Sequence, residues 1–320
     1  MESNSLENPS LPLVSIIAIC HRHAQYVLQT LDSIRNQTYA QVELIIINNV
    51  KDDCEPLIRK WIVDHQVDCE FIQNESALSL TKNCNLGISR SSGSLIKPIS
   101  CDDVLLPDLI YLQVKMLNSV SGVKAGLCYS DMVFIDQNDK PLPGHASFMT
   151  KLKKSLPNFT QSGSFDYRQL LSATNPIPAP SVLYVKSAIA EVGGFDEDLD
   201  IEDYSMNLAL FAHGFKFLFV DKVLVHYRVL DGSLSTVFRK EKFYQNYNML
   251  KEYRHFLDTK NSHYRWKLWK GILLMPGFLG FLKELWQYFK ITKDFNIVTY
   301  LRLLVRYILG TAKKSTVTRI

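Results

Sequence analysis

The stretch PLVSIIAICHRHAQYVLQTLDSIRNQTYAQVELIIINN (12–49) decides the fold class. Residues 13–19 form a short, continuously apolar run, which is typical of a strand covered on both faces. Residues 25–36 then place apolar side chains at helical spacing, and residues 42–47 form a second apolar run. A buried strand, a helix and another buried strand predict a βαβ unit in a mostly parallel sheet.

The same alternation continues to residue 103. The next elements follow in helix–strand order: a helix opening at Pro56, a strand at 69–72, a helix at 81–89 and a strand at 95–99. Pro98 is unusual inside that strand, because proline cannot donate to a ladder. Ligands bind beyond the carboxyl ends of the strands in such sheets. Residues 48–49 and 102–103, which follow two of the strands, are therefore expected at one edge.

The second half of the chain mixes helices and strands. The predicted elements are a helix from 107 to 118, strands at 126–135 and 181–185, a helix at 203–213, and short strands at 216–220 and 223–228. A polar, basic stretch at 141–160 predicts a loop. The expected fold class is α/β, with a Rossmann-like, mostly parallel sheet flanked by helices.

Charge divides the chain into an acidic body and a basic tail. The 320 residues carry a net charge of +4, yet residues 264–320 hold eleven Lys or Arg against two acids. Such a tail implies an anionic partner. We expect a flexible arm at 1–10, a main domain at 11–235 and a basic, helical C-terminal region at 236–320.

The basic region contains two apolar stretches. Residues 271–288 are interrupted by Pro276 and Lys283, so they are too short to span a bilayer. Residues 296–310 place Arg302 and Arg306 among apolar side chains, which is typical of an interfacial amphipathic helix. The sequence thus predicts peripheral attachment to an anionic membrane surface. Packing on the main domain, or on a second subunit in a homo-oligomer, is the alternative.

The cysteines and the N-terminus bear on the compartment. None of the six cysteines forms a CxxC pair or a zinc spacing. Free thiols of this kind are typical of a reducing compartment. Residues 1–10 lack the basic and apolar regions of a signal peptide. We therefore expect a cytoplasmic protein, at the inner face of the cell membrane if the tail binds there, and no nucleic-acid partner.

An acidic pair, Asp102 and Asp103, directly follows the fourth predicted strand. Such a pair can hold Mg²⁺ or Mn²⁺, which usually binds one or two carboxylates together with phosphate oxygens. The ion would neutralise a diphosphate leaving group. The alternative is an aspartate cap on the following helix.

A second acidic pair, Glu202 and Asp203, closes the stretch GGFDEDLDIEDY (193–204), just before a helical pattern. A carboxylate at the start of that helix is well placed to take a proton from a hydroxyl nucleophile. These two acidic residues are the predicted catalytic residues, in the role of a general base. The alternative is a purely structural role, as the N-cap and the first-turn acid of that helix.

Residues near the first and third predicted strands are expected to bind the anionic ligand. The motif His21-Arg22-His23 follows the first strand, at a position that can meet a base, a ribose or a phosphate, and His21 and Arg22 are the candidate binding residues. Lys82 and Asn83 begin a helix whose N-terminal amides favour anions. A solvated loop and ordinary helix capping are the alternatives.

The stretch HYRVLDGSLS (226–235) combines a histidine, a cation and a Gly/Ser loop. His226 is a candidate third metal ligand, and Arg228 is a candidate ligand of the diphosphate. Residues 232–235 are a candidate lid. The alternative for His226 is a structural histidine in a strand, whose hydrogen bonds are made within the protein.

These motifs, in this order, resemble family 2 glycosyltransferases of the GT-A fold, of the bacterial surface-polysaccharide type. The resemblance rests on 12–49, 82–108, 181–210 and 226–235, and covers about residues 11–235. It implies a nucleotide-diphospho-sugar donor and an inverting, in-line attack by a hydroxyl of a glycan or lipid-linked acceptor. It also implies that Asp203 is the base and that Asp102 and Asp103 bind the metal and the diphosphate.

The chain departs from the family pattern at two places. Asn48 and Asn49 stand where the family usually has Asp-Asp, one of which reads uracil, and Ser100 replaces an acid before the metal pair. An amide can still accept from N3–H and donate to O4. A UDP or dTDP donor therefore remains more expected than GDP, although the usual inference to UDP is weaker.

Two other functions remain open at this point. A non-catalytic sugar-nucleotide or glycan-binding protein would explain Asn48, Asn49 and Ser100, but a pure binder needs no base. A nucleotidyltransferase would share the sheet and the metal. It usually carries a glycine-rich loop after the first strand, and residues 20–26 contain no glycine.

Overall fold

The computed structural model describes residues 11–142, 148, 167–199, 202–230, 240–273 and 278–292. Eight strands in this part form one mixed sheet in the order β3-β2-β1-β4-β7-β6-β8-β5. The strands are β1 (Val14–Cys20), β2 (Val42–Asn48), β3 (Glu70–Gln73), β4 (Leu95–Ser100), β5 (Val104–Leu105), β6 (Ala125–Ile135), β7 (Leu183–Val185) and β8 (Lys216–Arg228). Four of the seven pairings are parallel, which confirms the predicted α/β class.

Helices flank the sheet and continue to the C-terminal end of the described chain. They are α1 (Val27–Arg35), α2 (Cys54–His65), α3 (Leu80–Arg90), α4 (Leu109–Asn118), α5 (Tyr167–Ala173), α6 (Lys186–Glu191), α7 (Glu202–Ala212), α8 (Lys240–Glu252), α9 (Ser262–Leu273) and α10 (Phe278–Thr292).

The first strand shows why its sequence is continuously apolar. Ile17 and Ile19 belong to one buried cluster, together with residues of α3, α7 and the C-terminal helices. Ile16 and Ala18 belong to a second cluster on the other face, with residues of α1, α2 and α4. Successive side chains of a strand point to opposite faces, so a strand covered on both sides needs apolar residues at every position.

The structure also explains how β4 tolerates Pro98. Strand β4 pairs with β7 only at Leu95 and Ile96. Beyond Ile96, this side of the strand has no ladder partner, so a missing N–H is tolerated there.

Three sequence predictions needed correction. The strands predicted at 216–220 and 223–228 form the single strand β8, whose pairing with β6 shifts in register between Ser130 and Asp131. The strand predicted from 181 begins at Leu183, after a 3-10 turn at Ala179–Ser181. Pro178 precedes this turn and Pro180 lies within it. The short elements β5, α5 and α6 were not predicted, because two to seven residues carry little periodicity.

The C-terminal helices pack on the main domain. Helix α9 contacts α5, α8 and α10, and Tyr247, Leu268 and Phe281 belong to the same buried cluster as Ile17. The backbone N–H of Asp258 donates to the Ser172 hydroxyl across 2.7 Å. For the described residues, this arrangement matches the alternative in which the region packs on the main domain.

Several predicted segments lie outside the described residues: the arm at 1–10, most of the loop at 141–160, the lid at 232–235 and the amphipathic stretch at 296–310. Within the described part, none of the helices has the length and apolar character that crossing a bilayer requires.

Candidate active site

The carboxyl ends of four parallel strands meet at one edge of the sheet. The register pairs Cys20 with Asn48, Asn48 with Gln73, and Ile19 with Ser100. The residues that follow these positions are His21, Asn49, Asn74 and Cys101. The prediction that residues 48–49 and 102–103 share an edge is confirmed.

Asp102 remains partly accessible at this edge. Its side chain is 13% exposed, and its Oδ2 lies 3.7 Å from Nε2 of His23. The Nδ1 atom of His23 is buried and has no partner among the described residues. His23 belongs to the HRH motif predicted at the ligand site, although only His21 and Arg22 were assigned there as binding residues.

Asp103 is oriented differently from Asp102. It is 2% exposed, and its Oδ1 accepts the backbone N–H of Arg228 across 2.9 Å. Burial, then the neighbouring Asp102 charge, raise the pKa of Asp103 well above its ordinary value, against the opposing effects of Arg228 and Lys97. Its carboxyl group therefore fixes β8 to the end of β4 through Oδ1, and its predicted role as a metal ligand stays a prediction.

Arg228 also departs from its predicted role. Its side chain is fully buried and its guanidinium donates to the carbonyls of Asp102 and Asp136 and to side-chain oxygens of Gln29 and Asp139, at 2.6 to 2.9 Å. The guanidinium also stacks on the Tyr26 ring. It could reach a diphosphate only by leaving these partners, so we assign it to holding the Asp102–Asp103 loop.

The donor set for a metal is smaller than predicted. Among the described residues, no three His, Cys, Asp or Glu side chains cluster closely enough to hold an ion. Asp102, Asp103 and His226 therefore do not form a ready-made three-ligand site. An Mg²⁺ or Mn²⁺ ion needs only one or two carboxylates when phosphate oxygens supply the rest. Asp102 fits that requirement. Burial lowers the pKa of the half-buried His226, which favours the neutral imidazole that a metal ligand needs.

Asn49 and Asn83 belong to a buried amide network. Asn74 Nδ2 donates to Asn49 Oδ1 across 3.1 Å and to Asn83 Oδ1 across 2.8 Å. Asn49 Nδ2 in turn donates to the carbonyl of Leu78. Both predicted ligand residues are thus occupied in fixing α3 to the ends of β2 and β3. Asn74 was missed, although it follows β3 as Asn49 follows β2.

Asn48 retains one unused acceptor. It is fully buried, and its Nδ2 donates to Gln73 Oε1 across 2.9 Å and to Asp52 Oδ1 across 3.3 Å. Its Oδ1 has no hydrogen-bond partner in the described part of the chain. A buried acceptor left unpaired costs about 1–3 kcal/mol, so this atom marks a place that a ligand donor can satisfy.

The exposed rim of this edge carries basic side chains, of which Arg22 and Lys82 are cations, whereas burial and then the charge of Arg22 lower the pKa of His21. His21, Arg22 and Lys82 are all exposed. Arg22 has a φ of +60°, and its backbone N–H donates to Asp52 Oδ2 across 2.8 Å. Lys82 lies in the first turn of α3, where its N–H is capped by the Ser79 hydroxyl. These predicted ligand residues therefore stand where an anion can approach.

The GGFDE stretch docks on the middle of α3. Asn85 Nδ2 donates to the carbonyl of Phe195 and to Glu197 Oε1, both at 2.9 Å, and Asn85 Oδ1 accepts the Phe195 N–H. Gly194 has a φ of +87°, and a Cβ there would lie 3.2 Å from Asn85 Oδ1. Asn83 and Asn85 are two residues apart, so one turn of α3 holds the strand edge and this loop together.

Asp203 is held in the first turn of α7. Its Oδ2 accepts from Asn175 Nδ2 across 2.6 Å, and its Oδ1 accepts the N–H of Tyr204 across 2.7 Å. Asn175 Oδ1 in turn accepts from Asn207 Nδ2 across 3.0 Å. Asn175 was missed because it lies in the proline-rich run TNPIPAP (174–180), which has no periodic pattern.

Glu202 lies near α3 and β7. Its charge contributes to raising the pKa of Cys84, after burial, and also that of Tyr184, where burial and then Asp203 contribute more. Both acids of the second pair are therefore close to Tyr184. The start of α7 is thus within electrostatic range of Cys84 on α3 and of Tyr184 on β7.

Comparisons with known proteins identify the family of this chain. Residues 15–165 match the model described as glycosyl transferase family 2, and residues 96–311 match that of glycosyl transferase family group 2. An uncharacterized glycosyltransferase of Methanocaldococcus jannaschii is 26% identical, over 84% of this chain and 89% of its own length. The O-antigen biosynthesis glycosyltransferase WbnJ of Escherichia coli is 25% identical, over 62% of this chain and 72% of its own length.

Solved structures share the architecture. The S. aureus TarS 1–349 structure in complex with UDP-GlcNAc superposes with a TM-score of 0.61 at 15% identity, covering 87% of this chain and 79% of that one. The mannosyltransferase PcManGT from Pyrobaculum calidifontis, in complex with GDP-Man and Mn²⁺, gives 0.55 at 12% identity, covering 94% and 86%. At these identities the likeness shows the fold alone. The chain belongs to glycosyl transferase family 2 and is a glycosyltransferase of the GT-A fold.

Proposed function

We propose that this glycosyltransferase inverts the anomeric centre of a nucleotide-diphospho-sugar donor, with Asp203 as general base. The single observation that carries the proposal is the fixed carboxylate of Asp203 at the start of α7. Asn175 and the Tyr204 N–H hold it. A base must be held within hydrogen-bond reach of the hydroxyl it activates.

The acceptor hydroxyl attacks the anomeric carbon in line with the departing diphosphate. A carbon–oxygen bond forms to the acceptor as the bond to the diphosphate oxygen breaks, and the hydroxyl proton passes to Asp203. Each carboxylate oxygen of Asp203 accepts one described hydrogen bond. An ionised carboxylate offers about four acceptor positions, and it gains a proton as the hydroxyl is activated.

Asp102 is the residue proposed to hold a divalent cation, with His23 beside it and His226 as a second candidate ligand. When bound, Mg²⁺ or Mn²⁺ neutralises charge on the diphosphate. Lys82 and Arg22 add positive charge at the exposed rim. Asp103 and Arg228 contribute by fixing the loop that carries Asp102.

The nucleotide is proposed to be UDP or dTDP. Asn48 presents one unpaired acceptor, Oδ1, because its amide nitrogen already donates to Gln73 and Asp52. Uracil and thymine offer a single ring N–H donor, whereas guanine offers two neighbouring donors. The single acceptor of Asn48 therefore matches uracil or thymine better than guanine. Asn48 is fully buried, so this contact requires a local opening on binding.

The acceptor is proposed to be a glycan or a lipid-linked glycan in surface-polysaccharide synthesis. The support is the similarity to a relative named for O-antigen biosynthesis. A cytoplasmic location at the inner membrane face belongs to the same proposal, since lipid-linked acceptors are found at that surface.

The test combines binding and turnover. A panel of nucleotide sugars is screened for Mn²⁺-dependent thermal stabilisation, and the best donor is then used for turnover. Asp203→Asn should abolish transfer while leaving the stabilisation by donor intact, and Asp198→Asn, an exposed acid of the same loop, should retain both. Wild-type turnover by Asp203→Asn would disprove its assignment as the general base. Greater stabilisation by a GDP-sugar than by a UDP- or dTDP-sugar would disprove the proposed preference for the nucleobase of the donor.

A further inference from the structure

The two last described helices expose large apolar side chains. On α10, Leu279 is 82% exposed and Trp286 is 56% exposed, and on α9 Trp266 is 50% exposed. The opposite sides of the same helices are buried in the main core, through residues such as Tyr264 and Phe281. The helices are therefore firmly seated, and their outer sides are left with tryptophan and leucine.

Lysines accompany these side chains. Lys270 Nζ lies 3.9 Å from the centroid of the Trp266 ring, and Lys290 Nζ lies 5.3 Å from that of Trp286. Lys283 is exposed on α10. We refer to this set as the Trp–Lys face; it comprises Trp266, Lys270, Leu279, Lys283, Trp286 and Lys290.

Within the two helices themselves, acidic residues are few. Helix α9 has no acid in its sequence, and α10 has only Glu284. Glu284 is committed elsewhere, since it accepts from Lys251 Nζ across 2.8 Å and from the Tyr247 hydroxyl. The sequence that follows α10 continues this bias, with six basic residues against one acid from 293 to 320.

This combination fits a lipid surface better than a second copy of the chain. Tryptophan is enriched where membrane meets water, because its ring is amphipathic. Lysine can lay its aliphatic stem along apolar surface and keep its ammonium at the phosphates. In a two-fold dimer the same patch would meet itself, which would bring lysines against lysines.

We propose that the Trp–Lys face binds the surface of an anionic bilayer. Binding itself does not depend on the proposed function. The consequence of this binding for catalysis does rest on the proposed function. Lys267, next to Trp266, has its Nζ 4.7 Å from the centroid of the Tyr204 ring, and Tyr204 directly follows Asp203. A bilayer held at α9 is thus one helix layer, about 10 Å, from the residue proposed to activate the acceptor.

Sedimentation of the full chain with lipid vesicles tests the proposal. Vesicles of phosphatidylcholine alone are compared with vesicles that also contain phosphatidylglycerol. Wild-type protein should bind the anionic vesicles preferentially, and the binding should weaken with added salt. The double variant Lys283→Gln/Lys290→Gln should bind roughly thirtyfold more weakly, because each basic residue near the surface contributes about a factor of five. Trp266→Ser/Trp286→Ser should also lose most of the binding.

Matched controls lie on α2, on another part of the molecule. Val63 is 73% exposed and the Lys60 side chain is 72% exposed. Val63→Ser and Lys60→Gln should bind vesicles as the wild type does, and all variants should unfold at similar temperatures. Wild-type binding by both Trp–Lys variants would overturn the proposal, as would equal binding of the wild type to both vesicles. If the wild-type protein is a dimer and the tryptophan variants are monomers, the face is instead the contact with a second copy. None of these readouts requires turnover, so they remain informative if the proposed function fails.

Discussion

Asn175 donates to Asp203 across 2.6 Å, and Asn207 donates to Asn175 in turn. The chain of amides leads from the interior of α7 to the carboxylate at its start. Asn207 is fully buried, and Asn175 also accepts the N–H of Ile177. The carboxylate of Asp203 is therefore oriented by groups that are themselves fixed, as a general base requires.

Asn175→Ala should impair catalysis without weakening the donor complex. We expect kcat to fall by about ten- to a hundredfold, since a base loses its orientation, with little change in the KM for the donor. The acidic limb of the pH–rate profile should move to higher pH, because a hydrogen bond to the charged carboxylate is lost. Steady-state kinetics across pH checks this, with the exposed Asn118→Ala as control. An unchanged profile would make Asn175 purely structural.

The two members of the acidic pair should behave differently. Asp102→Asn should remove Mn²⁺-dependent donor binding and leave the stability of the protein nearly unchanged, because the side chain is partly exposed. Asp103→Ala should instead lower the free energy of unfolding by about 1–3 kcal/mol, since the buried Arg228 N–H loses its acceptor. Calorimetry of donor binding and denaturant unfolding separate the two effects. If Asp102→Asn still binds donor in a Mn²⁺-dependent way, the ligand assignment fails.

Arg228 should prove to be a stabilising residue. Arg228→Met should cost about 2–4 kcal/mol of stability, because the carbonyls of Asp102 and Asp136 lose a buried donor. Arg228→Lys should not restore it, since one ammonium cannot reach both carbonyls and Asp139. Arg90→Met, which removes an exposed ion pair with Glu70 at 3.5 Å, should cost less than about 1 kcal/mol. A stable Arg228→Met protein that had lost only donor affinity would restore the diphosphate role.

Lys97 should make the stability of the protein depend on pH. It is fully buried in β4, where its Nζ donates to the carbonyl of Pro180 across 2.5 Å. Burial lowers the pKa of Lys97 to about 7, against the opposing charge of Asp103. The unfolded chain therefore binds more protons between pH 7 and the ordinary lysine pKa of 10.5, and the Lys97 contribution to stability rises with pH in this window.

Lys97→Met removes that contribution. From pH 7 to pH 9, wild-type protein should gain about 2 kcal/mol in free energy of unfolding relative to Lys97→Met. Denaturant unfolding at several pH values measures the difference, and the exposed Lys60→Met serves as control. Parallel pH dependence of wild type and Lys97→Met would show that Lys97 stays protonated in the folded protein.

The half of the fold that carries the βαβ pattern was accessible from sequence. Strands β1 to β4 and helices α1 and α3 were predicted to within two residues at each end, and α2 at its start, because buried parallel strands are continuously apolar and the helices have a clear apolar stripe. The bend within β8 was not accessible. Asp221 and Lys222 interrupt its apolar pattern, and only the pairing with β6 shows that the strand continues.

The candidate site was only partly predictable for a different reason. The edge of the sheet follows from topology, so positions such as Asn49 and Asp102 could be named. Which way each side chain points depends on partners far away in the chain. Asp103 meets the backbone of Arg228, 125 residues later, and Asp203 meets Asn175. A sequence motif identifies carboxylates, but it does not separate the one that faces a ligand from the one that supports the loop.

The packing of α3 has a consequence for specificity. A Cβ on Gly87 would lie 2.4 Å from the Ile17 side chain, so the helix sits directly on β1 and has no room to shift inward. Asn83, one turn away, fastens the helix to the ends of β2 and β3, and Asn85 fastens it to the loop before Asp203. Substitutions that retune this turn for another donor would displace the acceptor side as well, so preferences for donor and acceptor should diverge together among relatives of this enzyme.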